Sequence, residues 1–177
     1  MKLVFITNFN DKTSFGGGDY YIYKLAESLS ANNHSVTLFW DEFKSIKPKS
    51  SSLIRKRKFS IPEKFIFSTR INKYIKKLYN YFSLENYLKK NSNKIDYIIG
   101  SQVNTAIDSS YYGKKYGIKV ANFIFETPEL LSNSEDFVSF LNNDKWLKHW
   151  DKFRKSLIAS DLIFGISHLS IESGEKW

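Results

Sequence analysis

A chain of 177 residues that is 42% apolar, 25% charged and 17% aromatic can bury one full core, so a single domain is expected. Nothing approaches the roughly eighteen consecutive apolar residues of a membrane span, and the apolar run at the start passes into polar sequence with no small-residue cleavage site, so neither a span nor a secretory signal is expected. With no cysteine and three widely spaced histidines (His34, His149, His168), a disulfide framework and a metal-binding spacing are excluded, and the cytoplasm is the expected compartment.

The net charge of +9 divides unevenly: residues 1–43 carry −2, residues 44–94 carry +13 and residues 95–177 carry −2. A basic block of that size attracts an anionic membrane surface, a lipid-linked phosphate or a nucleic acid, or else it is a solvated face.

In chain order, Leu3 to Thr7 reads as a strand and Tyr20 to Leu29 as a helix, with Ile22, Leu25, Ala26 and Leu29 on one stripe. The loop between them contains Gly16, Gly17 and Gly18, with Asp19 placed to cap the helix. Such a loop brings bare backbone N–H groups and a helix N-terminus to an anion, as a diphosphate requires, or it is a plain flexible turn. The glycines spell neither the dinucleotide fingerprint nor a P-loop. After the polar link at Ala31 to His34, Ser35 to Trp40 is a second strand ending at Asp41-Glu42. That acidic pair stands where a dinucleotide-binding protein keeps its ribose-binding acid, or is a solvated strand end.

Residues 47–52 read as a flexible turn, and Leu53 to Ile61 as an excursion with some strand character that holds the cationic cluster Arg55-Lys56-Arg57-Lys58. Glu63 to Lys90 has helical periodicity through Ile71, Ile75, Leu78 and Phe82, with Arg70, Lys73, Lys76 and Lys77 mostly off that stripe. Ile95 to Gly100 is a strand, Asn104 to Tyr116 a helix stopped by Gly117, and Ile118 to Phe125 a strand closed by Thr127-Pro128. Asp136 to Ala159 is helical, its Trp146/Trp150/Phe153/Leu157 stripe reading as core rather than as a sugar platform. Asp161 to Ile166 is a further strand, and the chain runs on into the opening of another helix, which suggests a piece of a larger protein. Gly165-Ile166-Ser167 resembles a nucleophile elbow without its second glycine, so Ser167 reads as a helix cap. Strands alternating with helices predict an α/β fold: a Rossmann-like, doubly wound parallel sheet in three α/β/α layers.

Several segments together resemble the N-terminal half of a GT-B glycosyltransferase of the retaining group called glycosyltransferase family 4. They are Phe15-Gly16-Gly17-Gly18-Asp19-Tyr20 leading into Leu25 to Leu29, Asn33-His34-Ser35-Val36-Thr37-Leu38, Asp96 to Gln102, Tyr116 to Val120, and Ala159 to Ser167, in the family's order and spacing. The resemblance implies that residues 1–177 are one Rossmann-like, acceptor-side domain, inactive alone, whose C-terminal donor-binding partner domain lies outside this chain. It implies transfer of a sugar from a nucleotide-diphosphate sugar to a glycan or lipid acceptor, with no metal and no cofactor beyond that donor substrate. Gly16, Gly17 and Gly18 become the loop nearest the donor phosphates, and Gln102, Glu126 and Ser167 fall on the acceptor side. Gln102 and Glu126 stand where many members have histidine. Glu126 either hydrogen-bonds the acceptor and helps deprotonate the attacking hydroxyl, or satisfies backbone N–H groups at a strand end. Lys73, Lys76 and Lys77 fit docking on an anionic membrane at its inner face, unless they only snorkel outward.

Two rivals remain: a NAD-type nucleotide-binding domain of an oxidoreductase or epimerase, which would use Asp41, and, ranked third, a basic nucleic-acid-binding module built on Arg55 to Lys58. No recognisable nucleic-acid-binding pattern surrounds that cluster, so a nucleic-acid partner is not expected.

Overall fold

The computed structural model describes residues 1–7, 17–40, 54–57, 84–125 and 144–176. In chain order these form β1 (Lys2–Ile6), α1 (Gly17–Ala31), β2 (Ser35–Trp40), β3 (Ile54–Arg57), α2 (84–91), a 3-10 turn at Ser92–Lys94, β4 (Tyr97–Gly100), α3 (Val103–Tyr116), β5 (Lys119–Ile124), α4 (Asp144–Ile158), β6 (Leu162–Gly165) and α5 (His168–Lys176). The strands make one six-stranded sheet in the order β3-β2-β1-β4-β5-β6, and every neighbouring pair is parallel. The expected doubly wound sheet is what forms.

Parallel strands covered on both faces need apolar side chains in both directions, and β1 supplies them with Leu3, Val4, Phe5 and Ile6 all buried. Leu3 and Phe5 join Val36, Leu38, Ile99, Ala121 and Phe123 in a core capped by Ile22, Tyr23 and Ala26 of α1. Val4 and Ile6 face the other way, with Phe39, Ile98 and Val120, against Leu84 and Leu88 of α2 and Tyr112 of α3. On that second face α4 packs Trp150, Phe153 and Leu157 against Ile124 and Ala106, so this part of the tryptophan stripe is core, as read.

Two expected boundaries shift. Helix α1 begins at Gly17 rather than Tyr20, so position 19 lies inside its first turn rather than before it. The vague excursion at Leu53 to Ile61 contains an edge strand, paired from Thr37↔Ile54 to Trp40↔Arg57. Arg55, Lys56 and Arg57 are therefore strand residues of the sheet, not a free basic loop.

A polar network fastens the right half of the sheet. Asn122, wholly buried in β5, accepts from Ser109 Oγ (2.7 Å) and donates to Ser160 Oγ (2.8 Å) and Ser110 Oγ (3.3 Å). Ser110 and Ser160 in turn donate to the Ser156 carbonyl (3.0 and 2.7 Å), which joins α3, α4 and β5.

Candidate functional site

Strand order reverses between β1 and β4, and in open parallel sheets ligands bind outside the carboxyl ends of the strands at that reversal. Polar residues close the floor there. Thr7, fully buried, turns both its N–H (3.0 Å) and its hydroxyl (2.8 Å) to the Phe39 carbonyl, tying the end of β1 to β2. Ser101 donates from Oγ to the Ile6 carbonyl (3.4 Å), tying it to β4.

At the reversal itself two helices begin, α1 after β1 and α3 after β4, and a helix N-terminus carries partial positive charge. Gly17 and Gly18 are the first residues of α1, so two of the three glycines expected in a loop form a helical turn instead. At Gly18 the fit is close: a Cβ there would stand 3.1 Å from the Phe125 ring, which would have to give by a few tenths of an ångström. The absence of that Cβ lets the head of α1 settle on the end of β5 despite glycine's poor helix propensity. The N–H groups of the turn remain those an anion can use, so the geometry keeps the chemistry while changing the element. Gly16 lies outside the described residues.

Gln102 is the N-cap of α3, with extended backbone (φ −151°, ψ 170°); its N–H donates to Thr105 Oγ1 (2.8 Å) while its side chain accepts from the Thr105 N–H. This reciprocal cap leaves Gln102 at the crevice, with its side-chain carbonyl committed to the helix. Ser167 does the same for α5: its hydroxyl accepts from Ser170 N–H (3.1 Å) and its own N–H donates to Ser170 Oγ (3.0 Å). The cap reading of Ser167 holds. Glu126, Asp41, Lys73, Lys76 and Lys77 lie outside the described residues.

Around Phe125, the last described residue before Glu126, the sequence reading missed an aromatic cluster. Tyr21 of α1 meets Phe123 and Phe125 edge-on at 6.2 Å each, and Phe123 stacks on Phe125 at 6.0 Å and on Phe164 of β6 at 5.2 Å. The Phe-x-Phe alternation at 123 and 125 was the available signal, since alternate strand residues share a face.

The shifted ionisations sit away from the crevice. Glu85 is lowered from its ordinary value because Lys115 and then Tyr116 donate to it, and Lys115 is raised by the same pairing. Burial, then the hydrogen bond to Glu85, raises Tyr116. Lys24 is raised by its bond to Glu27 (2.9 Å). Among the described residues no group of three or more His, Asp or Glu is placed to hold a metal, and no helix is long and apolar enough to cross a membrane.

No protein-family model matches the chain, and no curated protein matches it in sequence. Solved structures match its fold over nearly its whole length. Sucrose-phosphate synthase from Thermosynechococcus elongatus aligns with a TM-score of 0.67 at 14% identity, over 99% of this chain and 45% of its own. Phytolacca americana UGT2, in complex with UDP-2-fluoro-glucose and pterostilbene, aligns with a TM-score of 0.61 at 10% identity, over 99% of this chain and 50% of its own. WaaG, a glycosyltransferase involved in lipopolysaccharide biosynthesis, aligns with a TM-score of 0.55 at 16% identity, over 98% of this chain and 41% of its own. The chain thus spans about half the length of the structures it matches, and its fold is the Rossmann-like fold found in GT-B glycosyltransferases.

Proposed function

We propose that this chain is the N-terminal, acceptor-side half of a retaining glycosyltransferase that moves a sugar from a nucleotide-diphosphate sugar to a glycan or lipid-linked acceptor. One observation carries the reading: a parallel sheet of order 3-2-1-4-5-6 that aligns over 98–99% of its length with about half of three glycosyl-transfer proteins, with two helix N-termini at its point of reversal. In the reaction the bond from the sugar's anomeric carbon to the phosphate breaks and one to an acceptor oxygen forms. The growing negative charge on the departing diphosphate is met by Gly16, Gly17 and Gly18, the last two of which form the N-terminal turn of α1. Gln102, Ser167 and Glu126 line the acceptor side, with Glu126 receiving the acceptor hydroxyl's proton. No metal or cofactor beyond the donor is used. The donor-binding half is a C-terminal domain, without which this chain is inactive, and Lys73, Lys76 and Lys77 hold the enzyme against the inner face of an anionic membrane in the cytoplasm.

The test is donor turnover by the longer protein in which these residues lie, with a panel of nucleotide-diphosphate sugars and this chain alone as control. Release of nucleoside diphosphate by the longer protein alone, lost in Glu126→Gln, supports the reading. The same strand order also serves dinucleotide binding. NAD binding to this chain that disappears in Asp41→Asn, with no sugar turnover, overturns the proposal in favour of an oxidoreductase or epimerase domain.

A further inference from the structure

The described members of the tryptophan stripe, Trp150 and Phe153, are buried and cannot meet a ligand. The aromatic cluster at the carboxyl end of β5 can, and the reaction proposed above gives it no role. Its centre, Phe123, is buried, but Tyr21 on one side is 46% exposed, Phe164 on the other is 43% exposed, and Phe125 is half-buried. The rings of Phe125, Phe123 and Phe164 form a row, with successive planes inclined by only 26° and 28°. Tyr21 stands across the row, at 77° to Phe125 and 68° to Phe123. A row crossed by a ring makes a corner, and a contiguous aromatic surface left in water beside a crevice marks a place of binding more often than of packing alone.

We infer that Tyr21 is a specificity-determining residue: its ring, backed by Phe123 and Phe125, stacks a sugar ring of the acceptor, which makes the acceptor a glycan rather than a bare hydroxylated lipid. The inference rests on the proposed reading of this chain as the acceptor side of a transferase. Position selects the occupant. Phe125 is also the ring that lies against Gly18, so the row begins at the turn of α1 assigned to the departing diphosphate and runs away from it across β5 to β6. In the proposed reaction the group next to the departing diphosphate is the acceptor. Shape narrows the choice. The row spans two adjacent strands, about 5 Å apart, which is too short to sheathe a lipid tail. A pyranose has a face of C–H groups and a rim of hydroxyls, so it can lay the face on an aromatic ring and keep the rim wet. Tyr21 divides in the same way, with an apolar ring held in the corner and a polar tip for the rim.

Proton NMR on the 177-residue chain tests the contact without any variant, using the methyl glycopyranosides of glucose, galactose and mannose as sugar probes and octanol as the alkyl probe. At least one glycoside should shift the ring protons of Tyr21, and octanol should not. With the responding glycoside as acceptor for the longer protein in which these residues lie, Tyr21→Leu keeps apolar bulk but removes the ring. It should raise the acceptor KM about three- to tenfold and leave the donor KM unchanged, whereas Tyr21→Phe should stay within about twofold of the parent. Three results overturn the inference: no glycoside shifts the Tyr21 ring, octanol shifts it in their place, or Tyr21→Leu leaves the acceptor KM where it was. Donor turnover reads the transferase proposal separately. Ring shifts caused by a glycoside, with no turnover by the longer protein, lose only the function, and turnover with no glycoside response at Tyr21 loses only this assignment.

Discussion

The Phe125 ring lies against the backbone of Gly18, where an added Cβ would stand 3.1 Å from Cδ1 and 3.3 Å from Cε1. This contact sets the head of α1 against the end of β5 and so defines one wall of the crevice. Alanine at 18 gains about 1 kcal/mol in helix propensity while pushing the ring by a few tenths of an ångström, so Gly18→Ala should be close to neutral. Gly18→Val has no room for its branches and should cost about 1–3 kcal/mol in urea unfolding. Phe125→Ala in that background should recover part of the loss, giving a coupled double-mutant cycle; additive effects would show that the ring is not what opposes a side chain at 18.

The same contact marks where sequence reading reached its limit. Strand β2 was legible at both ends because Ser35 to Trp40 is a continuous run between a polar link and an acidic pair, and α3 was legible because Gly117 stops it. The start of α1 was not, because glycine scores against helix and the compensation lies more than a hundred residues away in Phe125. Strand β3 was only faintly visible: three of its four residues are cationic, and what makes it a strand is the open edge of β2. At the crevice, Ser167 was readable as a cap from its own neighbourhood. Thr7 and Ser101 were not readable as its floor, since their partners, the carbonyls of Phe39 and Ile6, are set by the strand order.

Asn122 is matched on all sides, by Ser109 as donor and by Ser110 and Ser160 as acceptors, and this predicts how its replacements rank. Asn122→Leu leaves Ser110 and Ser160 still donating to the Ser156 carbonyl. Its cost should therefore stay near the roughly 1–3 kcal/mol of a lost buried polar partner. Asn122→Asp puts a carboxylate opposite hydroxyls whose protons already point elsewhere, which should cost at least about 3 kcal/mol at neutral pH. Burial raises that carboxyl's folded pKa, so stability should recover as pH falls; thermal melts from pH 7 to pH 5 that show no recovery would mean the charge is solvated.

Glu85, depressed by Lys115 and Tyr116, ties α2 to α3 at the surface. A carboxyl whose pKa is lower folded than unfolded adds stability above its unfolded pKa, and that stability is lost as pH falls through the folded value. Lys115, raised by the same partner, adds stability below its ordinary value and loses it only as pH rises beyond. The tie should therefore be complete at neutral pH and fade at both extremes. Glu85→Gln should lower the melting temperature at pH 7 and match the parent in acid, where Glu85 is protonated. A difference between the two that persists unchanged into acid would assign the effect to packing rather than charge.

Gly117 and Gly100 should fail for opposite reasons when replaced by alanine. Gly117 ends α3 in the left-handed region (φ 66°, ψ 30°), its N–H donating to the Gly113 carbonyl, and open space surrounds the position a Cβ would take. Its penalty is conformational alone, about 1–2 kcal/mol, and asparagine, which tolerates that region, should cost less than alanine. Gly100 has no such constraint, but a Cβ there would fall 2.6 Å from both Ala106 Cα and the Thr105 carbonyl. Both are backbone atoms of the first turns of α3, so the helix must move off the end of β4, and asparagine should be worse than alanine. Because that movement carries the Gln102–Thr105 cap with it, Gly100→Ala should also speed amide exchange at Thr105 and Ala106, whereas Gly117→Ala should leave those amides as they were. Urea unfolding that ranked asparagine above alanine at position 100 would show that α3 is not seated on β4 by this contact.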